Sequence, residues 1–307
     1  MRDRLIALEF DPAVADVSEV RDYWLLLKPN VMSLVVFSAA TGLYLAPGSL
    51  HPLLMAVAIL CIAVAAGAAG AINNSYDADI DRMMARTRRR PTASGRIRPD
   101  DALAFGVTLA CMSVMVMGLS LNWVAAAVLA LTIAFYVFVY TIWLKRRTPQ
   151  NIVIGGAAGA FPPIAGWAAV TGDVSLAPIA LFLIIFTWTP PHFWALSLDR
   201  CQDYARVGVP MLPVVAGADK TRQHILAYTL ALLPVSLLPW WLGLASGLYA
   251  LAALALGAGF VQFALRLWRD RTNRTAMRTF RYSIVYLFGV FLALVLDKAA
   301  QTWGPVW

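Results

Sequence analysis

The stretch Asn73-Asn74-Ser75-Tyr76-Asp77-Ala78-Asp79-Ile80-Asp81 stands directly after an apolar run, Pro52 to Ile72, that is long enough to cross a bilayer. The side chains of Asn73, Asp77 and Asp81 recur every fourth residue, so on a helix they line one face. Carboxylates at membrane depth cost about 2.5 to 3.5 kcal/mol each on insertion scales, so they indicate a functional site by default. The stretch therefore predicts a membrane helix that ends in a polar site.

A second acidic pair, Asp199 and Asp203, has the same spacing and also follows an apolar run, Leu176 to Leu198. Mg²⁺ is commonly bound by one or two carboxylates together with water and substrate phosphate oxygens. Two such clusters facing one cavity predict a site for Mg²⁺ and a phosphorylated substrate inside a membrane protein. Solvated helix ends can show the same spacing, and that alternative stays open.

The composition is typical of a polytopic helical membrane protein. Of the 307 residues 60% are hydrophobic and 14% are charged, whereas soluble domains contain about 25% charged residues. The mean hydropathy is +0.69. We predict an all-α fold of roughly nine transmembrane helices around a central cavity that opens near the cytoplasmic side. The predicted spans lie near 30–46, 52–76, 102–119, 122–144, 152–171, 175–198, 224–242, 247–268 and 282–300.

Lys and Arg are divided unevenly between the connections, and this division predicts the topology. Connections near 47–48, 120–122, 171–173 and 245–247 contain no Lys or Arg, whereas the alternate loops are basic. The N-terminus and the basic loops are therefore expected in the cytoplasm and the C-terminus outside, with both acidic clusters on the cytoplasmic side. The net charge of +8 is explained by these basic cytoplasmic loops, so it does not indicate a nucleic-acid partner, and we expect none. We expect a cytoplasmic segment, 1–28, and a transmembrane domain, 29–303, of two pseudo-repeated four-helix halves plus a ninth helix.

Basic and aromatic residues accompany the first acidic cluster. Arg86 and Arg90 follow it, and Lys145 and Arg146 end the fourth span. Guanidinium groups clamp phosphate oxygens in bidentate fashion, but basic residues at span ends also set topology and contact anionic headgroups. Both interpretations stay open for these residues. Tyr140 lies close enough to Lys145 to share a cavity mouth.

The fifth and sixth spans contain further unusual residues. His192 precedes the second acidic pair. Its position is equally compatible with two roles, a residue of the functional site and an interior hydrogen-bonding residue. In the fifth span, Pro162 and Pro163 predict a kink, and several glycines predict close helix packing.

The motif Asn-x-x-x-Asp-x-x-x-Asp, followed by Arg-Thr-x-x-Arg and spanning Asn73 to Arg90, resembles that of the UbiA-type intramembrane prenyltransferases. The stretches 140–166 and 191–213 are similar to the branch of that family that farnesylates haem B. The resemblance covers the chain after about residue 25.

The resemblance implies a reaction between two membrane-soluble substrates. Farnesyl diphosphate ionises with Mg²⁺ on its diphosphate, a vinyl group of haem B attacks the allylic cation, and water adds to give haem O for terminal oxidases. Haem B is then a substrate and not a cofactor. The implied location is the bacterial cell (inner) membrane, in contact with the lipid bilayer. Haem A synthase and oxidase assembly factors are candidate partners.

The resemblance also implies roles for individual residues. The first metal–diphosphate motif is matched by Asn73, Asp77 and Asp81, and the second by Asp199 and Asp203. Relatives that use aromatic acids carry Asp where this chain has His192, so the ligands of a second metal stay open. The positions expected to contact diphosphate are Asn73, Arg86, Arg90, Tyr140, Lys145 and Arg146. The residues expected to be catalytic are Asp77, Asp81, Lys145 and Asp203.

Two other classes of protein stay open. One is a sister prenyltransferase of the same family that acts on a quinone precursor or chlorophyllide. The other is a transporter or channel, because intramembrane carboxylates also line ion pathways. The acidic residues lie at span ends and not at mid-span, which argues against an ion pathway.

Overall fold

Apolar helices of membrane-crossing length make up most of the chain. The computed structural model describes residues 18–270 and 272–303, and no β-strand occurs in those ranges. The helices in chain order are α1 (Val20–Leu26), α2 (Pro29–Leu45), α3 (Pro52–Tyr76), α4 (Ala78–Met83), α5 (Pro99–Ser120), α6 (Trp123–Leu144), α7 (Asn151–Ala160), α8 (Pro162–Thr171), α9 (Leu176–Asp199), α10 (Cys201–Arg206), α11 (Leu212–Val215), α12 (Gly217–Ser236), α13 (Leu238–Trp241), α14 (Gly247–Arg269) and α15 (Asn273–Trp303).

The transmembrane prediction is confirmed. Within the described ranges, 8 helical stretches are long and apolar enough to cross a bilayer, and the shorter apolar helix Met32–Leu45 lies in α2. Together they correspond to the predicted spans. The fifth span consists of α7 and α8, which meet at Phe161, so the kink expected from Pro162 and Pro163 is present. Proline is tolerated there because the first turn of a helix leaves its backbone N–H groups without intrahelical partners.

The second half of α6 is a π-helix. Residues Phe135–Leu144 form wider turns, and the backbone N–H of Lys145 donates to the carbonyl of Tyr140 at 2.9 Å, five residues earlier. Such segments are rare, and they frequently occur at functional sites. Lys145 and Arg146 directly follow the π-helix. Its wider turns therefore set the directions in which these two side chains point.

Two large apolar clusters form the interior of the bundle. One contains Trp188, Tyr249 and Phe291 and is built mainly from α9, α14 and α15. The other contains Ile62 and Leu129 and is built mainly from α3, α6 and α8. Both α2 and α8 contribute residues to each cluster, so this helix pair joins the two parts of the bundle.

The backbones of α2 and α8 approach closely at two glycines. A Cβ atom at Gly42 would collide with the carbonyl oxygen of Pro163, and one at Gly166 would collide with that of Ala39. Small residues permit such close contacts in membrane bundles. Of the glycines that were expected to serve helix packing in the fifth span, Gly166 forms this close contact between α2 and α8.

We expect Gly166→Ala to destabilise the protein by about 1 to 3 kcal/mol, because the added methyl group must push α2 away from α8. The measurement is the thermal unfolding midpoint of the detergent-purified protein, followed by tryptophan fluorescence. The matched control is Gly159→Ala in α7, where an added Cβ would meet nothing within 4 Å. Equal midpoints for the two variants would contradict the close-contact explanation.

Candidate active site

The first acidic motif lies where α3 ends. The helix stops at Tyr76, Asp77 forms the junction, and the backbone N–H of Asp81 donates to the carbonyl of Asp77 at 2.9 Å. Asn73, Asp77 and Asp81 are 3%, 0% and 2% exposed. The structure thus places all three predicted residues in the protein interior, on one side of a helix end.

The carboxylate of Asp77 is held by three donors. Asn73 Nδ2 donates to Asp77 Oδ2 at 2.6 Å, and the ammonium group of Lys145 contacts the same oxygen. The guanidinium of Arg146 lies 3.4 Å from Oδ1. A buried carboxylate that loses its partner costs about 3 to 5 kcal/mol, so these contacts fix the ends of α3 and α6 against each other.

Lys28 completes this network, and sequence reasoning missed it. Its ammonium group donates to Asn73 Oδ1 at 2.7 Å, while Asn73 Nδ2 also lies 3.2 Å from the hydroxyl of Thr141. Lys28 adopts a left-handed backbone conformation with φ of 53°, directly before Pro29. That conformation costs an ordinary residue about 1 to 2 kcal/mol. The only sequence signal was a lysine at the start of an apolar span, which topology alone explains.

The ammonium group of Lys28 is electrostatically unfavourable in its position. Burial lowers the pKa of Lys28 well below its usual value, and the positive charges of Arg90 and Lys145 lower it further. The carboxylates of Asp81 and Asp77 oppose this effect only in part. Additional negative charge at the site would therefore favour the protonated form of Lys28.

The loop after α4 brings one predicted arginine to the site. Arg90 Nη1 donates to Asp81 Oδ2 at 2.6 Å, and the hydroxyl of Thr87 donates to the carbonyl of Asp81 at 3.0 Å. Arg86 is exposed and has no hydrogen bond or ion pair with another residue of the described ranges.

Arg146 binds a second carboxylate outside the buried network. Its two terminal nitrogens donate to the two oxygens of Asp79 at 2.7 Å each, in bidentate geometry. Partial burial acts to raise the pKa of Asp79, but the hydrogen bonds from Arg146 and from the Ile80 backbone N–H outweigh it and lower the pKa. Because Asp79 and Asp77 already engage Arg146, its guanidinium would have to release a partner to clamp phosphate.

The second acidic motif packs against the first through apolar contacts. Tyr204 belongs to the same buried cluster as Ile80 and Met84, and Tyr140 and Phe193 pack against that cluster. The segments that carry the two motifs are therefore adjacent.

Among the residues described, no hydrogen bond or ion pair joins Asp199 or Asp203 to the first motif. Asp199 pairs with its neighbour Arg200 at 3.1 Å and is 21% exposed, and Asp203 is half-buried. No group of three or more His, Cys, Asp and Glu side chains among the residues described could hold a metal ion.

His192 is held between α9 and α15. Its ring stacks on Trp188 and Phe280, with centroid distances of 4.2 and 4.7 Å, and Nδ1 lies 2.7 Å from the hydroxyl of Ser283. His192 therefore makes an interior hydrogen bond, and its role as a site residue stays a prediction. The structure gives no direct contact between His192 and Asp199 in the described ranges.

The donor set of the first motif fits Mg²⁺ that is shared with a substrate. Asp77 and Asp81 supply hard carboxylate oxygens, and Asn73 supplies an amide oxygen. Mg²⁺ usually takes one or two carboxylates and completes its octahedron with water and phosphate oxygens. Two carboxylates beside a cluster of cations are suited to a metal–diphosphate complex and would leave much of the coordination to phosphate and water.

The bundle and its buried network of carboxylates and cations define an intramembrane prenyltransferase. Residues 35–295 match the UbiA prenyltransferase family, so the chain belongs to that family. Two curated relatives carry the name protoheme IX farnesyltransferase. The protein from Parvibaculum lavamentivorans is 56% identical over 97% of this chain and 96% of its own length. That from Afipia carboxidovorans is 56% identical over 96% of both chains.

Solved structures show the same fold at low sequence identity. A digeranylgeranylglyceryl phosphate synthase aligns with a TM-score of 0.74 at 18% identity, covering 90% of this chain and 97% of that one. A UbiA homolog from Archaeoglobus fulgidus bound to DMAPP and Mg²⁺ aligns with a TM-score of 0.65 at 15% identity, covering 89% and 99%. At these identities the similarity establishes the fold alone.

We expect prenyl diphosphate binding to be accompanied by proton uptake at alkaline pH. Lys28 becomes neutral above its lowered pKa, whereas a negatively charged ligand would raise that pKa and favour the charged amine. Uptake therefore occurs in the pH window between the two values. It is measured by titration calorimetry with a thio-diphosphate analogue in buffers of different ionisation enthalpy.

Proton uptake makes the observed binding enthalpy depend on the buffer. Lys28→Met should abolish this dependence, whereas the exposed control Lys220→Met should retain it. An identical buffer dependence in wild type and Lys28→Met would show that Lys28 is not the group that takes up the proton.

Proposed function

We propose that this protein transfers the farnesyl group of farnesyl diphosphate to a vinyl group of haem B, with addition of water, to give haem O. The observation that carries the proposal is its near-full-length identity of 56% to proteins named protoheme IX farnesyltransferase. The buried carboxylates and cations at the end of α3 supply the chemistry that such a transfer needs.

The cations of the site receive the diphosphate. Lys145, Lys28 and Arg90 converge on the first motif and would be drawn from Asp77, Asn73 and Asp81 towards phosphate oxygens. Because these donors already surround the site, they stabilise negative charge as it develops on the leaving group. When bound, Mg²⁺ would neutralise diphosphate charge that these side chains alone do not cover. Asn73, Asp77 and Asp81 are the residues that would hold it.

Aromatic side chains are available for the allylic cation. Tyr136 and Tyr140 have centroids 5.4 Å apart on the π-helical part of α6, and Tyr140 packs against the cluster shared by the two motifs. Aromatic faces attract cations by about 0.5 to 2 kcal/mol each. We propose that Asp199 and Asp203 act from the second motif, either on a second Mg²⁺ or on the acceptor side.

The proposed location is the bacterial inner membrane, with the N-terminus and the basic loops in the cytoplasm and the C-terminus outside. Membrane insertion rests on the apolar helices, and the orientation rests on the distribution of Lys and Arg. Residues 1–28 would form a cytoplasmic segment, and 29–303 would form two four-helix halves plus a ninth helix. Haem A synthase and oxidase assembly factors are the proposed protein partners.

We expect Asp77→Asn and Asp81→Asn each to reduce turnover by at least about 100-fold, the scale of a lost preorganised electrostatic group. The assay incubates purified protein with haem B and farnesyl diphosphate and detects the hydroxyethylfarnesyl product by mass spectrometry. Asp173→Asn is the matched control, because Asp173 is an exposed loop residue far along the chain from the first motif.

Wild-type turnover by the Asp77 or Asp81 variant, in protein that remains folded, would remove that residue from the mechanism. Prenylation of a quinone precursor or chlorophyllide in place of haem B would identify a sister enzyme of the same family.

We expect chelation with excess EDTA to abolish farnesyl transfer and added Mg²⁺ or Mn²⁺ to restore it. The reason is that Asp77 and Asp81 place negative charge beside the diphosphate, so the side-chain cations must offset these carboxylates as well as the diphosphate and further positive charge is required. Product formation is followed in the same mass-spectrometric assay. Full activity in excess chelator would contradict a divalent metal in the reaction.

A further inference from the structure

His192 is bound in an unusual cluster that the diphosphate chemistry above does not use. It lies seven residues before the end of α9, a distance of about 10 Å along the helix axis. Both faces of its ring are covered, one by Trp188 and the other by Phe280. Trp188 is itself fixed, since its indole N–H donates to the carbonyl of Ser283 at 2.7 Å.

The hydrogen bonds around Ser283 determine which ring nitrogen of His192 carries the proton. The hydroxyl of Ser283 lies 2.6 Å from the carbonyl oxygen of Phe280 and 2.7 Å from His192 Nδ1. A carbonyl oxygen only accepts, so the single hydroxyl proton must point to Phe280. The contact with Nδ1 is then a hydrogen bond only if Nδ1 carries the proton and donates to Ser283.

This assignment leaves a lone pair on Nε2 of His192. Nε2 has no hydrogen-bond partner among the residues described. It is not completely enclosed by protein atoms, so a ligand can reach it. A neutral imidazole whose Nδ1–H is held by a second residue is the arrangement by which proteins present histidine to a metal. The aromatic rings on both faces hold the imidazole in one orientation.

We propose that Nε2 of His192 is an axial ligand to the iron of the tetrapyrrole substrate, with Ser283 as the positioning residue. This inference rests on the proposed function. Mg²⁺ prefers oxygen ligands, whereas imidazole suits iron, so a histidine near the second motif matches a haem better than a second Mg²⁺. Ligation would place the macrocycle at the Nε2 edge of the imidazole ring.

The test is the absorption and electron paramagnetic resonance spectrum of ferric haem B titrated into the purified full-length protein. Wild type should give the spectrum of histidine-ligated haem. His192→Ala should lose that spectrum, and added imidazole should restore it by occupying the vacated space. His224→Ala is the matched control, since His224 contacts the carbonyl of Lys220 through Nδ1 and packs edge-on against Trp194, and neither contact involves His192 or Ser283.

Ser283→Ala tests the positioning role. It should keep the histidine-ligated spectrum but weaken haem binding by about 10- to 100-fold, as is usual when the partner of a ligating histidine is removed. An unchanged affinity of Ser283→Ala for haem B would show that Ser283 does not position His192 for ligation.

The outcomes separate this inference from the proposed function. If His192→Ala gives the same haem spectrum as wild type while wild type still produces farnesylated haem, iron ligation by His192 is wrong and the proposed function stands. If wild type neither binds haem B nor yields the product, the proposed function itself is wrong.

Discussion

The site depends on one buried negative charge, the carboxylate of Asp77. A fully buried carboxylate is stable only when charged or polar donors surround it, and here Asn73, Lys145 and Arg146 supply them. Those donors come from the ends of α3 and α6. The requirement to satisfy Asp77 therefore holds two chain segments together at one end of the bundle, and Lys28 joins them through Asn73.

Packing deeper in the bundle makes that convergence possible. The contact of α2 with α8 at Gly42 and Gly166 draws the first span against the fifth, and Lys28 stands directly before α2. The π-helical end of α6 places Thr141 beside Asn73 and directs Lys145 to Asp77. Strain at Lys28 and the rare helix type occur at the site itself, as expected where geometry serves a function.

Local sequence patterns were sufficient for the spans, the kink at Pro162 and the burial of Asn73, Asp77 and Asp81, because bilayer length and helical periodicity fix them. They were insufficient for Lys28, whose role arises from a contact with Asn73 45 residues away along the chain. The π-helix was equally hidden, since residues 135–144 are apolar and aromatic and fit an ordinary span. The hydrogen bond from His192 to Ser283 joins residues 91 positions apart, and no local pattern encodes it.

We infer that the cations now paired with protein carboxylates at the end of α3 form the diphosphate site. A structure of the protein with Mg²⁺ and farnesyl thio-diphosphate tests it directly. We expect metal-bridged diphosphate density against Asp77 and Asp81, with the ammonium group of Lys145 moved from Asp77 to a phosphate oxygen. Diphosphate bound elsewhere, with the Lys145–Asp77 pair intact, would contradict it.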